Sequence, residues 1–428
     1  MKSKWRISLT AAVVAVGLLA PVTVSAANAA PVEIPLWTHN GGNAAELADV
    51  NLVVKDFNAS QSKYKVTVKA FPQINYNDAI VASAAANRLP CIMDTDAPVV
   101  PSWVYAGYLS PLTVDKKITD KLQTSVKGIY DGKLYSAGFY DAAIALLARK
   151  STLAAAGLRT PTIEKPWTLA EFNDALAKAK ATGKYDYAIS LGTGWDGEWY
   201  PYGFSPLLQS FGGDLINRKT NKTAEGVLNG AAAVAWGKWF QNIFAQGLAP
   251  KKETADQRDN GFVTGKIAYQ WNGSWAAATA AEKLGSDFIA LPPPNLGTKA
   301  YIGGGSWQWA VSSTCANKAG ANAWLQFALQ TKYLVKFADD LFNLPITPDA
   351  TKASKIFGPG SKYSEFATYS ATFALIRPAT PAYPVIAKVY ETATKDIING
   401  ADVQKSLDSA VDQINKNLKD NYYYVKKK

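Results

Sequence analysis

The chain of 428 residues has one histidine and two cysteines. A structural zinc site usually takes four Cys or His ligands, and these three residues fall short of it. A histidine-based catalytic triad has only His39 to draw on. Haem and iron–sulfur centres are starved of ligands in the same way. Neither a G-x-x-x-x-G-K-S/T phosphate loop nor a G-x-G-x-x-G fingerprint occurs. No cofactor, no metal and no chemistry resting on a histidine base are therefore expected. Past the amino terminus, no apolar run approaches the roughly 18 residues that span a bilayer. Charge of one sign is not concentrated either. The 45 Lys and Arg against 34 Asp and Glu give +11, but they are scattered, and the only dense basic run is Lys426 to Lys428. A nucleic-acid binder more often gathers its charge in one stripe or helix. A solvated basic surface is expected instead, with no nucleic-acid partner.

What is present is a globular composition. Hydrophobic residues make up 48%, which rules out a disordered or fibrous chain. At roughly 150 residues per domain, two or three domains are expected. The amino terminus sets the compartment. Lys2, Lys4 and Arg6 precede an apolar run from Ile7 to Ala20, then Pro21 and small residues. Small-x-small cleavage sites follow at Ala26 and Ala29. This is the pattern of a secretory signal peptide over residues 1–29. No cysteine lies near the cleavage region, so export to the periplasm without a lipid anchor is expected. In that oxidising compartment Cys91 and Cys315 pair in a disulfide or stay as two separate buried thiols.

Strand and helix patterns alternate along the rest. Val32 to Trp37 reads as a buried strand. The turn His39, Asn40, Gly41, Gly42, Asn43 follows, then a helix to Asn58 carrying Leu47, Val50 and Val54 on one face. Tyr64 to Phe71 alternates apolar and polar residues with strand period. Asn77 or Asp78 is the expected cap of a helix running to Asn87. Cys91 to Thr95 is a third strand, with Asp94, Thr95 and Asp96 at its end. Ile144 to Ala148 is strongly apolar. Thr168 to Glu171 forms a capping box. Helices are expected from Ala231 to Phe244 and from Tyr383 to Ile398. Asp402 caps a last one bearing Leu407, Val411, Ile414 and Leu418. Strands are expected at Ile267 to Gln270, Phe288 to Leu291 and Trp307 to Val311. Repeated β–α units favour a largely parallel sheet covered by helices.

Six phrases occur in a telling order. They are LPCIMDTD with YAGYLSPL (Leu89 to Asp96, Tyr105 to Leu112), DGKLYSAGF (Asp131 to Phe139), and LAAAGLRTP leading to WTLAEF (Leu153 to Phe172). SFGGDLI (Ser210 to Ile216), FVTGKIAYQWNGSW (Phe262 to Trp275) and GGGSWQWAVSS (Gly303 to Ser313) follow. The chain resembles a bacterial extracellular solute-binding protein of family 1, the periplasmic substrate-binding component of a carbohydrate ABC importer. The resemblance implies an α/β, two-lobe periplasmic-binding-protein fold, type II-like. Each lobe would be a mostly parallel sheet flanked by helices, and a multi-segment hinge would join the two. It implies an N-terminal lobe of residues 30–140 and 303–350 and a C-terminal lobe of residues 141–302 and 351–428. Gly138, Gly303 to Gly305 and Leu344 to Pro348 are the expected crossings. Partners implied are a small-molecule carbohydrate in the cleft and ABC permease subunits, with the receptor a monomer. The chain departs from the family at Cys91, where an acid is usual, and at Ala148, Arg149, Lys150, where an aromatic–Asn–Lys phrase is usual.

A sugar needs carboxylates, amides and Arg for its hydroxyls and aromatic platforms for its C–H faces. His39 and Asn40 follow the first strand and Asp94 and Asp96 end the third, where open α/β sheets place ligands. GTGWDGEWYP packs Trp195, Asp196, Glu198 and Trp199 into one loop, with Trp195 expected at the sugar and Trp199 open to simple packing. By the resemblance, Asp141 sits at the first crossing, Trp275 faces the ligand, Gly304, Gly305, Ser306 and Trp307 line the cleft, and Arg377 lies in a late basic–proline region. Trp271 reads as core. Arg377 alternatively makes a surface salt bridge. Two other readings stand beside this one. A secreted glycosidase would use Asp196 and Glu198 as its carboxylate pair, and a peptide or polyamine receptor fits two lobes equally well. Arg377 and His39 permit an anionic sugar derivative, while Asp94, Asp96 and Asp141 argue for a neutral polyol.

Overall fold

The computed structural model describes residues 30–361 and 363–425. The expected signal peptide and the basic run Lys426 to Lys428 lie outside the described residues. Thirteen strands appear in chain order: β1 Val32–Thr38, β2 Tyr64–Ala70, β3 Ile92–Asp96, β4 Leu109–Ser110, β5 Lys127–Tyr130, β6 Lys133–Gly138, β7 Ile144–Arg149, β8 Tyr187–Ser190, β9 Ile267–Gly273, β10 Phe288–Leu291, β11 Ile302–Gly304, β12 Trp307–Ser312 and β13 Ala374–Ile376.

They form a seven-stranded sheet in the order β2-β1-β3-β12-β6-β5, with β4 on β12, and a four-stranded sheet in the order β10-β7-β9-β8. A third, two-stranded sheet pairs β11 with β13 in parallel. In the first sheet Ile34 and Leu36 of β1 are fully buried. They pack with Val50, Val54 and Phe57 of the helix Ala44–Ser60 and with Trp309, Trp324 and Phe337. That helix starts where Asn43 accepts a hydrogen bond from the Glu46 amide. In the second sheet β7 is buried on both faces from Ile144 to Ala148, so it reads as a continuous apolar run. Its core continues through Trp236, Trp271, Tyr390 and Leu407. The helix Leu169–Ala181 opens with the expected Thr168/Glu171 capping box. The result is two lobes of mixed sheet flanked by helices.

Two expectations need correction. The sheets are mixed rather than mostly parallel. β1 runs parallel to β2 and β3, but β12, returning from the second lobe, enters antiparallel between β3 and β6, and β5/β6 is a hairpin. In the second sheet only β8/β9 is parallel. The helix expected to start at Asn77 or Asp78 is Gln73–Ala85 and starts directly after Pro72. The earlier start lets Tyr76 and Ile80 be its buried face, and packing outweighs the capping preference.

The crossings lie side by side. After Gly138 the chain passes Asp141, whose amide donates to Leu344 O at 3.0 Å and whose carbonyl accepts from the Leu344 amide at 2.7 Å. β11 and β13 stand in the return path. The helix Tyr383–Asn399 touches both cores: Tyr383 and Ala387 pack with Tyr76, Met93 and Trp103, while Ile386 and Tyr390 pack in the second lobe.

Cys91, just before β3, and Cys315, just after β12, form a disulfide with Cα atoms 4.6 Å apart. It staples two neighbouring strands that 224 residues of chain separate. Cross-links over loops this long restrict the unfolded chain and typically stabilise by about 2–5 kcal/mol. Replacing both cysteines with serine is expected to lower the unfolding free energy by that order, and with it the midpoint, in urea titrations. An unchanged midpoint contradicts a stabilising staple.

Candidate functional site

β1 and β3 run parallel and adjacent, so their carboxyl ends deliver Thr38–His39–Asn40 and Asp94–Thr95–Asp96 to the same edge. Asp94 is fully buried. It accepts from Thr38 Oγ1 and lies against His39 Nδ1, both at 2.7 Å. The other ring nitrogen of His39 is 3.7 Å from Glu46, in the first turn of the helix Ala44–Ser60. Asn40 Nδ2 is 3.3 Å from that nitrogen, and Asn40 Oδ1 lies against Thr38 Oγ1. Tyr140 donates to Glu46 at 2.6 Å, and Tyr76 donates to the Asp94 carbonyl at 2.8 Å. Trp307, the first residue of β12, lies flat on the imidazole, with ring centroids 3.5 Å apart and planes 7° from parallel. A cavity of about 290 Å³, lined by His39, Gly41, Gly42, Asn43, Glu46 and Gln73, opens beside this group.

Burial on its own would lower the His39 pKa. The Asp94 and Glu46 carboxylates more than offset it, so the pKa is raised above 6.5. Burial raises Glu46, against the pull of His39 and the Tyr140 hydrogen bond.

Arg377 follows β13 directly and reaches into the junction of the lobes. Its guanidinium grips Asp96 with two hydrogen bonds, at 2.7 and 2.8 Å, and donates to Glu198 at 2.7 Å. Asp96 ends β3 in the first lobe, and Glu198 sits in the loop after β8 in the second. The side chains of Arg377 and Asp96 are only 3% and 7% exposed. Tyr383 donates to the same Glu198 oxygen at 2.6 Å. The guanidinium carbon stands 5.0 Å over the Tyr202 ring, at cation–π distance. Burial and the repulsion of Asp96 raise the Glu198 pKa against the attraction of Arg377. Arg377 makes a buried bridge between lobes, not the surface salt bridge that was its alternative.

Tyr202 continues into an aromatic wall of the second lobe. Trp195 and Trp199 meet edge to face at 4.6 Å, and Trp275 lies 6.3 Å from both Trp199 and Tyr202. Gly192 permits this packing. Its φ is +74°, and a Cβ there would come within 2.6 Å of the Trp199 indole nitrogen. Trp199 is buried and donates to Leu191 O at 2.9 Å, so it packs. Trp195 and Trp275 stay partly exposed. Trp271 is core.

The expected residues thus fall into a contiguous arrangement. His39, Asn40, Asp94 and Trp307 form one group, and Asp96 and Arg377 form a second. Trp195 and Trp275 belong to the wall that Tyr202 joins to Arg377. Asp141 is buried in the crossing, where it accepts from Ser125 at 2.6 Å and from the Ala142 amide at 2.8 Å. Gly305, with φ +82°, turns the chain where the Ala97 amide donates to Ser306 O at 3.1 Å, so it shapes backbone beside the end of β3. Asp196 is exposed and pairs with Lys395 at 2.5 Å, while Glu198 is turned toward Arg377. The two acids of the glycosidase reading therefore serve different partners. Glu46, Tyr76, Tyr140, Tyr202 and Tyr383 escaped the sequence reading. Glu46 had a signal, since Asn43 three residues before it is a cap. The tyrosines had none, because the hydroxyls of Tyr76, Tyr140 and Tyr383 find partners on distant elements and Tyr202 offers its ring face to the distant Arg377. Among the described residues no group of three or more His, Cys, Asp or Glu is arranged to hold a metal ion.

The family description "bacterial extracellular solute-binding protein" matches residues 53–366. No curated protein matches the chain. Solved structures with the same fold include the GacH receptor of Streptomyces glaucescens GLA.O, determined unliganded and with acarbose. Its identity is 22% and its TM-score 0.74, covering 91% of this chain and 98% of that one. The maltose/maltodextrin-binding domain MalE of Bdellovibrio bacteriovorus, bound to maltotriose, is 17% identical with a TM-score of 0.75, covering 91% and 100%. An ABC transporter solute-binding protein of Thermotoga lettingae, bound with α-D-tagatose, is 20% identical with a TM-score of 0.72, covering 91% and 100%.

A single histidine makes the charge state of this group directly readable. Selective ¹⁵N-histidine labelling of tag-free protein gives one imidazole, which is expected to titrate above 6.5. A folded pKa above the unfolded one means His39 contributes its stability in full below pH 6.5. That contribution is lost as pH rises through the raised value. Titration at or below 6.5 contradicts the pairing with Asp94 and Glu46.

Proposed function

The chain belongs to the bacterial extracellular solute-binding proteins, and we propose that its solute is a sugar, held where the two lobes meet and passed to the permease of an ABC importer. One observation carries the reading: Arg377, at the crossing, holds a carboxylate from each lobe against the face of Tyr202. A sugar presents hydroxyls in several directions and apolar C–H faces. Ionised carboxylates and guanidinium make the stronger hydrogen bonds to hydroxyls, and Asp94, Asp96, Glu198 and Arg377 supply them. Trp195, Trp275 and Trp307 are each partly exposed and supply the platforms. His39, Asn40, Asp141 and Gly305 complete the proposed site by fixing these groups in place. Sites of this kind favour domain interfaces. The acarbose, maltotriose and tagatose bound by the three neighbours support the same ligand class.

In this reading, residues 30–140 with 303–350 form one lobe and residues 141–302 with 351–428 the other. Hinge motion closes them on the solute. The closed form binds better, so the solute shifts the population toward it. The receptor works as a monomer in the periplasm after its signal peptide is cleaved at Ala26 or Ala29 and releases the sugar chemically unchanged.

A thermal-shift and tryptophan-fluorescence screen against neutral mono- and oligosaccharides tests this. At least one is expected to raise the melting temperature, shift the emission and be recovered intact. Trp307→Ala and Trp275→Ala are each expected to weaken its binding about tenfold or more, or ~1.4 kcal/mol. A confirmed ligand that both variants bind like wild type contradicts the assigned site, and cleavage of the sugar contradicts the receptor reading.

A further inference from the structure

We propose that this site accepts only sugars without negative charge and rejects phosphorylated, sulfonated and carboxylated ones. The proposal rests on the sugar-receptor reading above and narrows it. Arg and His residues in a sugar site ordinarily leave an anionic derivative open, because either cation pairs with an acid. Here each cation is already committed. Arg377 gives one terminal nitrogen to both Asp96 and Glu198 and the other to Asp96. His39 has Asp94 on one ring nitrogen at 2.7 Å and Glu46 near the other at 3.7 Å. The next cations along the aromatic wall are also taken. Arg258 pairs with Asp259 at 2.7 Å, and Lys395 pairs with Asp196 and Glu391.

Carboxyl groups therefore outnumber cations where the lobes meet. Among the described residues, the cations paired with Glu46, Asp94, Asp96, Asp141 and Glu198 are His39 and Arg377. An entering anion has two routes, and both are costly. It displaces a carboxylate from a buried cation and leaves that carboxylate buried and unpaired, or it sits beside like charges in a poorly screened place. A neutral hydroxyl meets neither cost. It donates to the free lone pairs of the carboxylates and accepts from donors the acids do not use. Arg377 Nε and the Tyr202 hydroxyl are such groups, both buried without a hydrogen-bond partner. A hydroxyl satisfies them without disturbing an ion pair.

The test is calorimetric titration of wild-type protein, at fixed salt and pH 7, with a neutral oligosaccharide series and the 6-phosphate and 6-carboxylate of each member. Neutral members are expected to bind, and each anionic counterpart to bind at least about 100-fold more weakly. Glu198→Gln removes one competing carboxylate and is expected to narrow that gap about tenfold. An anionic member that binds as tightly as its neutral parent overturns the proposal and leaves sugar binding standing. A gap unchanged in Glu198→Gln overturns the charge explanation. Failure of every sugar in the set, neutral and anionic alike, overturns the receptor reading and this inference with it.

Discussion

A guanidinium buried between two carboxylates organises this protein. Arg377 takes Asp96 from the end of β3 and Glu198 from the loop after β8, so one side chain ties both lobes to the crossing strand β13. Burying Arg377 and Asp96 beside a partly buried Glu198 is expensive, and replacing such a group with apolar residues often stabilises a protein. A purely structural tie has no need of it. The arrangement makes sense where the charges have a second task, the recognition of hydroxyls, and where removing one partner would leave the others stranded. Its surroundings hold it rigidly. β13 pairs with β11, Tyr383 holds Glu198, and the helix that Tyr383 begins is packed into both cores.

The first lobe offers a matching construction on the neighbouring strand end. β3 and β12 are paired antiparallel, with Asp96 opposite Trp307 at one end and Ile92 opposite Val311 at the other. The disulfide Cys91–Cys315 lies just beyond the second end. A single strand pair thus carries the covalent staple at one end and, at the other, Asp94, Asp96 and Trp307. A register slip of one residue would turn one strand's side chains to the opposite face and part Trp307 from Asp94 and Asp96, and the staple opposes such a slip. The stack of Trp307 on His39 holds the imidazole between Asp94 and Glu46, whose carboxylates raise its pKa above 6.5 against the effect of burial.

Much of this was legible in the sequence, for local reasons. Strand β1 announced itself by Val32 to Trp37, the helix Leu169–Ala181 by its capping box, and the last helix by Asp402 and the spacing of Leu407, Val411, Ile414 and Leu418. Strand ends gave His39, Asp94 and Asp96, because the carboxyl edge of a β–α unit is a general address for ligands. The resemblance placed Arg377 and Trp307, which no local rule singles out. Strand direction was not legible. Antiparallel β12 comes back from the other lobe, and nothing in its own residues says so. Nor were Tyr202, Tyr383 and Tyr140, which work through partners far away in sequence, at Arg377, Glu198 and Glu46. The loop GTGWDGEWYP reads as a dense cleft segment in which Trp199 alone is open to packing, and the fold sorts it residue by residue. Trp199 packs, Asp196 faces solvent, and Glu198 joins the bridge.

The central claim is that Arg377 and Asp96 act as one unit in holding the solute. A double-mutant cycle by titration calorimetry tests it most directly, using a neutral oligosaccharide that wild-type protein binds, with Asp96→Asn, Arg377→Gln and the pair combined. The account predicts that each single change weakens binding and that the combined variant is little worse than the weaker single one, since either change already breaks the unit. Losses that simply add, or an Arg377→Gln protein that binds like wild type, would contradict it.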